Sequence, residues 1–296
     1  MTAKNRAEGV LLALTMIWGS TFVVGKIVLQ NLSPLQTIAV RFTLSALFLL
    51  VFYSRRIFPL SGRQVIRGSI LGIFLFLGFV AQTVGLTLTT ASKSAFITGL
   101  MVVFVPLLQV LIERRAPKLG NIAGVAVVSA GLWLLTSPSG SSFNGGDALT
   151  LVCAVLFAVY IVYIDVVAHD MSAMQLTFLQ MAVNAVLAVG STLVFDRIPS
   201  AVPAGTVVGI LYLTVFATVL TTFMQTRYQK DTTPTRAAVI FTIEPVFAAF
   251  SAAAVLGEQI GVGGAMGGGL IIGGVLLSEL SDGIPVLNRT VGPADS

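Results

Sequence analysis

Arginine and lysine fall almost entirely in alternate gaps between ten apolar stretches, and this placement constrains the fold more than any motif does. The stretches lie near 9–28, 35–53, 66–88, 94–112, 119–136, 148–166, 175–195, 204–226, 236–256 and 260–280. As helix, each is long enough to cross a hydrocarbon core of about 30 Å. One set of gaps holds Lys4, Arg6, Arg55, Arg56, Arg63, Arg67, Arg114, Arg115, Lys118, Arg227, Lys230, Arg236 and Arg289; the other holds only Lys26, Lys93 and Arg197. Basic loops stay in the cytoplasm, so both termini are predicted inside. The chain reads as an all-α polytopic membrane protein with ten transmembrane helices.

Hydrophobic residues make up 56% of the chain and charged residues 10%, with a mean hydropathy of +0.96. A soluble domain carries about a quarter charged residues, so this much apolar surface needs lipid. The net charge of +5 is split among short loops. Anionic membrane lipid is its expected neighbour, and no nucleic-acid partner is predicted. A single cysteine, Cys153, excludes an internal disulfide and suggests no metal cluster; no cofactor is predicted. The amino-terminal apolar run shows no cleavage-site pattern and exceeds signal-peptide length, so the first helix is expected to be retained.

Shifted by 139 residues, the two halves align. Ser33-Pro-Leu-Gln36 falls on Ser172-Ala-Met-Gln175, Pro106 falls on Pro245, and Gln82, Thr83 fall on Thr221, Thr222. Beyond the fourth helix the shift becomes 143, pairing Gly124 with Gly267 and Gly131 with Gly274. Five is an odd number of crossings, so the second copy enters from the opposite side. Inverted repeats of this kind build alternating-access carriers, with substrate held between the halves near the midplane. The predicted organisation is a first five-helix repeat over 1–138, an external linker at 139–146, a second, inverted repeat over 147–281 and a mobile cytoplasmic tail at 282–296.

The first helix carries Ile17-Trp18-Gly19-Ser20-Thr21-Phe22, followed by Lys26, Pro34 and Arg41-Phe42. The ninth carries Glu244-Pro245-Val246-Phe247, then Leu256-Gly257-Glu258, with Gly267 and Gly274 along the tenth. In this order, over about residues 8–280, the series resembles the EamA family of the drug/metabolite transporter superfamily, and within it bacterial aromatic amino-acid exporters of the YddG type. The resemblance implies a carrier of small metabolites, with a central cavity between helices 1, 3, 4 and 6, 8, 9. Glu113 departs from the pattern, lacking a preceding glycine and following Pro106 too early, and receives no role.

Helix 8 shows a polar stripe of Thr214, Thr218, Thr221, Thr222 and Gln225, at spacings that share one helix face. Helix 3 repeats it in Gly78, Gln82, Gly85 and Thr89. Such faces turn inward, to a cavity or to interhelical hydrogen bonds. Trp18, Phe79 and Tyr160, with Phe22, Phe157 and Tyr163, lie at depths suited to an aromatic-walled ligand site. The substrate-binding candidates are therefore Trp18, Phe79, Gln82, Tyr160, Thr221 and Thr222. Glu244 is a carboxylate near mid-membrane, read either as a proton or ammonium site or as a structural partner of freed backbone. Pro106 and Pro245 each remove a helical hydrogen bond and mark bending points. Arg41 sits deep enough to pair with protein or with a substrate carboxylate, whereas Lys26 reaches head groups. Glycines of helices 5 and 10 permit their close packing, and a homodimer through them stays open.

Only one histidine, His169, exists, and it falls in a loop, so Ser–His chemistry at membrane depth has no support; there is no His-Glu-x-x-His. A Ser–Lys pair stays open by count alone, and no repeated pore motif suggests a channel. The sequence therefore predicts a secondary transporter, not an enzyme, with a small-molecule substrate, and the family resemblance implies an exporter of aromatic or other apolar amino acids. The rival is a proton-coupled exporter of lipophilic cations. It is disfavoured because helix 1 lacks a deep carboxylate, Glu8 standing at its edge.

Overall fold

The apolar stretches fold as helices and the polar residues between them supply the caps. A computed structural model describes residues 3–114, 116–136, 143–197, 201–259, 261–281 and 284–290. The first three spans are α1 (Ala3–Val28), α2 (Pro34–Ile57) and α3 (Gly62–Leu88). The fourth divides into α4 (Ala91–Gly99) and α5 (Met101–Glu113), and the fifth is α6 (Leu119–Thr136). The sixth and seventh are α7 (Gly145–Val167) and α8 (Ala173–Phe195). The eighth combines α9 (Ala204–Thr214), a π-helical turn (Val215–Leu220) and α10 (Thr221–Tyr228). The ninth divides into α11 (Pro234–Phe241) and α12 (Glu244–Leu256), and the tenth is α13 (Val262–Leu280).

Eight spans are long and apolar enough to cross a membrane, and α6 and α13 contribute the shorter apolar cores Leu119–Leu134 and Val262–Ser278. Side chains such as Leu111, Val194 and Phe195 are more than 70% exposed on the outside of the bundle, where only lipid can cover them. The protein is an all-α polytopic membrane protein of ten helices.

The halves are inverted. Ser33 and Ser172, paired by the sequence shift, each form a capping box, with Gln36 and Gln175 returning a bond to the cap backbone. Each glutamine also ties its helix start to the end of the other helix. Gln36 Nε2 donates to the Arg197 carbonyl at 2.7 Å, and Gln175 Nε2 donates to the carbonyls of Ile57 and Pro59, both at 3.1 Å. α2 and α8 therefore pack antiparallel, with Ser33 and Ser172 at opposite faces of the membrane. α6 and α13 pack equally closely, through glycine: a Cβ on Gly131 would lie 2.7 Å from the Gly267 carbonyl, and one on Gly124 3.0 Å from that of Gly274.

Two boundaries differ from the sequence reading. α7 starts at Gly145, capped by Asn144, so the helix takes up the end of the linker drawn at 139–146; positions 139–142 lie outside the described residues. The tail drawn as mobile at 282–296 is fastened over 284–290. Leu119 and Gly120 donate their N–H groups to the carbonyls of Arg289 and Leu287, at 2.8 and 2.9 Å, and Lys118 Nζ meets Asn288 Oδ1 at 2.6 Å. These first N–H groups of α6 have no partner inside the helix, which is why the tail docks there. Positions 291–296 lie outside the described residues.

Candidate functional site

Spans 4 and 9 break near mid-membrane, and the breaks face each other. α4 ends at Gly99, and a Cβ there would lie 3.1 Å from Pro245 Cγ at the start of α12. In the ninth span the interruption at Thr242–Ile243 directly precedes Glu244-Pro245, as a proline without a donor allows. In the fourth it falls at Leu100, while Pro106 lies inside α5. Gly19 explains the Trp-Gly pair of α1: a Cβ there would stand 2.9 Å from the Glu244 carbonyl, so only glycine lets α1 rest on the backbone of α12.

Around this crossing lies a cavity of about 610 Å³, its mouth included. Trp18 and Thr21 of α1, Leu75, Phe79 and Gln82 of α3, and Thr98 and Met101 of the fourth span line one side. Phe157, Tyr160 and Ile161 of α7, Ala217, Thr222 and Gln225 of the eighth span, and Phe241 and Glu244 of the ninth line the other, with Arg41 entering from α2. Aromatic edges dominate the wall: Trp18 meets Phe241 at 5.2 Å between centroids and Phe79 meets Phe157 at 5.6 Å. Gln82 donates to Thr98 Oγ1 at 3.2 Å, and the Tyr160 hydroxyl is anchored behind the wall on Gln180 Oε1 at 2.6 Å.

The cavity carries one cation and one carboxylate. Arg41 is 8% exposed; its Nη2 donates to the Ala217 carbonyl at 2.8 Å and its Nε to Thr218 Oγ1, with the guanidinium 4.7 Å from the Phe79 centroid. Glu244 is also 8% exposed, and among the described residues nothing hydrogen-bonds or pairs with its carboxylate. A lone charge at this depth is costly, so the group is protonated or awaits a cation.

Of the residues singled out from sequence, Trp18, Phe79, Gln82, Tyr160, Thr222, Arg41 and Glu244 line this one cavity. Thr221 does not: its buried hydroxyl has no partner among the described residues. The π turn just before it widens the helix and turns the stripe, so that Thr222 and Gln225 face the cavity and Thr218 holds Arg41. Pro106 and Pro245 are also outside the lining. Tyr163 packs on Phe74, and Phe22 lies in a separate apolar cluster with Val23 and Leu86. Sequence reasoning missed Thr21, Thr98 and Phe241; Thr21 stands one helical turn from Trp18, whereas Phe241 ends α11 across the break from Glu244. Lys26 donates to the Thr89 carbonyl at 2.5 Å at the end of the bundle, and His169 is exposed.

The sequence model of the EamA-like transporter family matches residues 6–137 and 144–280. An uncharacterized transporter of Archaeoglobus fulgidus is 34% identical over 267 residues, covering 86% of this chain and 82% of that protein. The uncharacterized inner membrane transporter YedA of Escherichia coli K12 is 24% identical over 85% of this chain and 83% of its own length. A solved crystal structure aligns with a TM-score of 0.77 over 94% of this chain and 97% of that chain; at 17% identity the likeness is one of fold.

Proposed function

This chain belongs to the EamA-like transporter family, and from that premise we propose that it exports aromatic or other apolar amino acids by alternating access. Support comes from one arrangement: a cation and an unpaired carboxylate share a single aromatic-walled cavity. A zwitterion with an apolar side chain satisfies all three features. Its carboxylate meets Arg41, whose guanidinium stays charged under any physiological condition. Its ammonium meets Glu244, its side chain lies between Trp18, Phe79 and Phe157, and Gln82 and Thr222 take the remaining polar contacts. Outside the protein such a substrate would be fully hydrated, so paired charges must replace that water within the membrane.

The basic gaps support cytoplasmic termini, and with a relative named as an inner membrane transporter they support a bacterial inner-membrane location. Outward pumping follows from the family resemblance, with Glu244 as the proton-coupling group; without coupling, the same cavity supports facilitated diffusion. The second reading, a proton-coupled exporter of lipophilic cations, draws on Glu244 beside Trp18 and Phe241. Arg41 argues against it, because a buried positive charge repels a cation in the same space.

The deciding experiment is counterflow in proteoliposomes with a panel of amino acids, their methyl esters and lipophilic cations. Uptake confined to free apolar amino acids supports the proposal. Uptake confined to the cations, or indifference to esterification, overturns it.

A further inference from the structure

Span 8 handles Arg41 in a way that bears on what the cavity selects. The π turn over Val215–Leu220 alters the local hydrogen bonding: the Thr221 N–H turns to the Thr218 carbonyl, and the Ala217 carbonyl is left to accept Arg41 Nη2 at 2.8 Å. Thr218 Oγ1 donates its one proton five residues back, to the Leu213 carbonyl at 2.7 Å. Toward Arg41 that hydroxyl therefore acts as an acceptor only, and it takes the Nε–H. Nε–H and one Nη2–H form the side edge of the guanidinium fork, and span 8 occupies both. Phe79 and Phe42, themselves 5.0 Å apart, pack on the fork from one side, at 4.7 and 5.5 Å from the guanidinium carbon. The end edge, Nη1–H beside the second Nη2–H, meets no acceptor among the described residues, and Arg41 lines the cavity. Two parallel N–H groups in one plane match a carboxylate in bidentate contact.

Resting on the amino-acid substrate inferred above, we propose that the π turn of span 8 is the specificity element of the carrier. It locks Arg41 by the side edge so that the end edge selects a planar carboxylate, with Thr218 as the positioning residue. A long arginine that was free to swing would accept a carboxylate in many poses and lose rotamer freedom on binding. Held on Ala217 and Thr218, it has lost that freedom already. A carboxylate answers both N–H groups with anionic oxygens, whereas a neutral ester or amide offers one strong carbonyl acceptor and leaves the second buried donor weakly met. Selectivity thus resides in two contacts that never touch the substrate.

The test is inhibition of counterflow by the free amino acid and by its methyl ester. The chain as it stands should favour the acid by about tenfold or more. Thr218→Val should cut that ratio by about fivefold while the ester inhibits as before, because only the carboxylate contact is disturbed. Thr218→Ser, which keeps the hydroxyl, should restore the ratio. Should the valine variant fail to insert, Thr218→Ala carries the same expectation. An undiminished acid-to-ester ratio in Thr218→Val overturns the proposal, and so does an equal loss for acid and ester. A different result, Arg41→Gln retaining the preference for the acid, would instead remove the underlying carboxylate contact and the amino-acid assignment with it.

Discussion

Under the proposed function, Glu244 is the candidate for proton coupling. It stands in the first turn of α12, where the helix dipole favours a negative charge, yet a lone charge at this depth is costly. Those opposed pulls suit a group that exchanges a proton for an ammonium. Glu244→Gln keeps the shape and removes the charge; pH-gradient-driven transport should fall by about tenfold or more, as expected for loss of a charged hydrogen bond. Proteoliposomes with an imposed pH gradient measure this, and an undiminished rate would remove Glu244 from coupling. Gly19 makes a steric prediction. A Cβ there would lie 2.5 Å from Phe247 Cβ and 2.9 Å from backbone, with nothing flexible to yield. Gly19→Ala should cost about 1–3 kcal/mol, seen as a lower melting temperature in detergent. At this scale the sequence was informative where a residue type is rare at membrane depth. Arg41, Glu244, Gln82 and Trp18 stand out from an apolar background and meet in one cavity. Thr98 and Met101 do not stand out, since nothing in their type separates them from packing residues.

Helix starts rest on caps, which are local chemistry. Ser33, Ser61 and Ser172 each stand three residues before a glutamine, and all three form capping boxes. Removing such a cap costs about 1 kcal/mol, so Ser172→Ala should lower stability by that amount. Ser33→Ala should cost more, because Ser33 also donates to Asp196 across the α2–α8 contact. Chemical denaturation in mild detergent would separate the two; equal losses would show the Asp196 contact to be idle. Interruptions inside spans were less legible. Pro245 marks its break, but Pro106 is accommodated within α5 and the fourth span parts at Leu100, next to Gly99 where α4 meets Pro245. The π turn has no residue signature at all. An extra residue in a helix is stabilised by what it contacts, here Arg41, and that partner is 176 positions away. For the same reason the docked tail escaped notice: Arg289 and Leu287 are placed by unmet donors on α6, not by their own pattern.

At the scale of the whole molecule, the inverted halves place matching ion pairs at opposite membrane faces. At the face bearing the termini, Arg236 Nε meets Glu8 Oε1 at 3.0 Å, and Thr232 Oγ1 adds a bond to the same oxygen at 3.3 Å. At the other face, Lys93 Nζ meets Asp147 Oδ2 at 2.6 Å, and Thr89 Oγ1 adds a bond to Oδ1 at 2.8 Å. The correspondence is residue by residue. Glu8 and Asp147 are 139 positions apart, while Thr89 and Lys93 match Thr232 and Arg236 at a shift of 143, set by the equivalent caps Thr90 and Thr233, so the change of shift falls before span 4 and not after it, where the sequence alignment places it. Each pair joins an early residue of the first helix in one repeat to the start of a broken span, and both pairs are closed at once in this structure. Alternating access requires one face to part while the other holds, and a mostly buried ion pair costs several kcal/mol to separate. Neutralising one pair therefore biases the carrier to open on that face. With Cys153 replaced by alanine, a cysteine introduced at Thr21 in the cavity reports access from either side. Asp147→Asn should speed its labelling by a membrane-impermeant thiol reagent applied at the face away from the termini, and Glu8→Gln should speed it from the terminal face. If both variants accelerate labelling from the same side, or neither changes it, the two pairs hold the fold together without gating it.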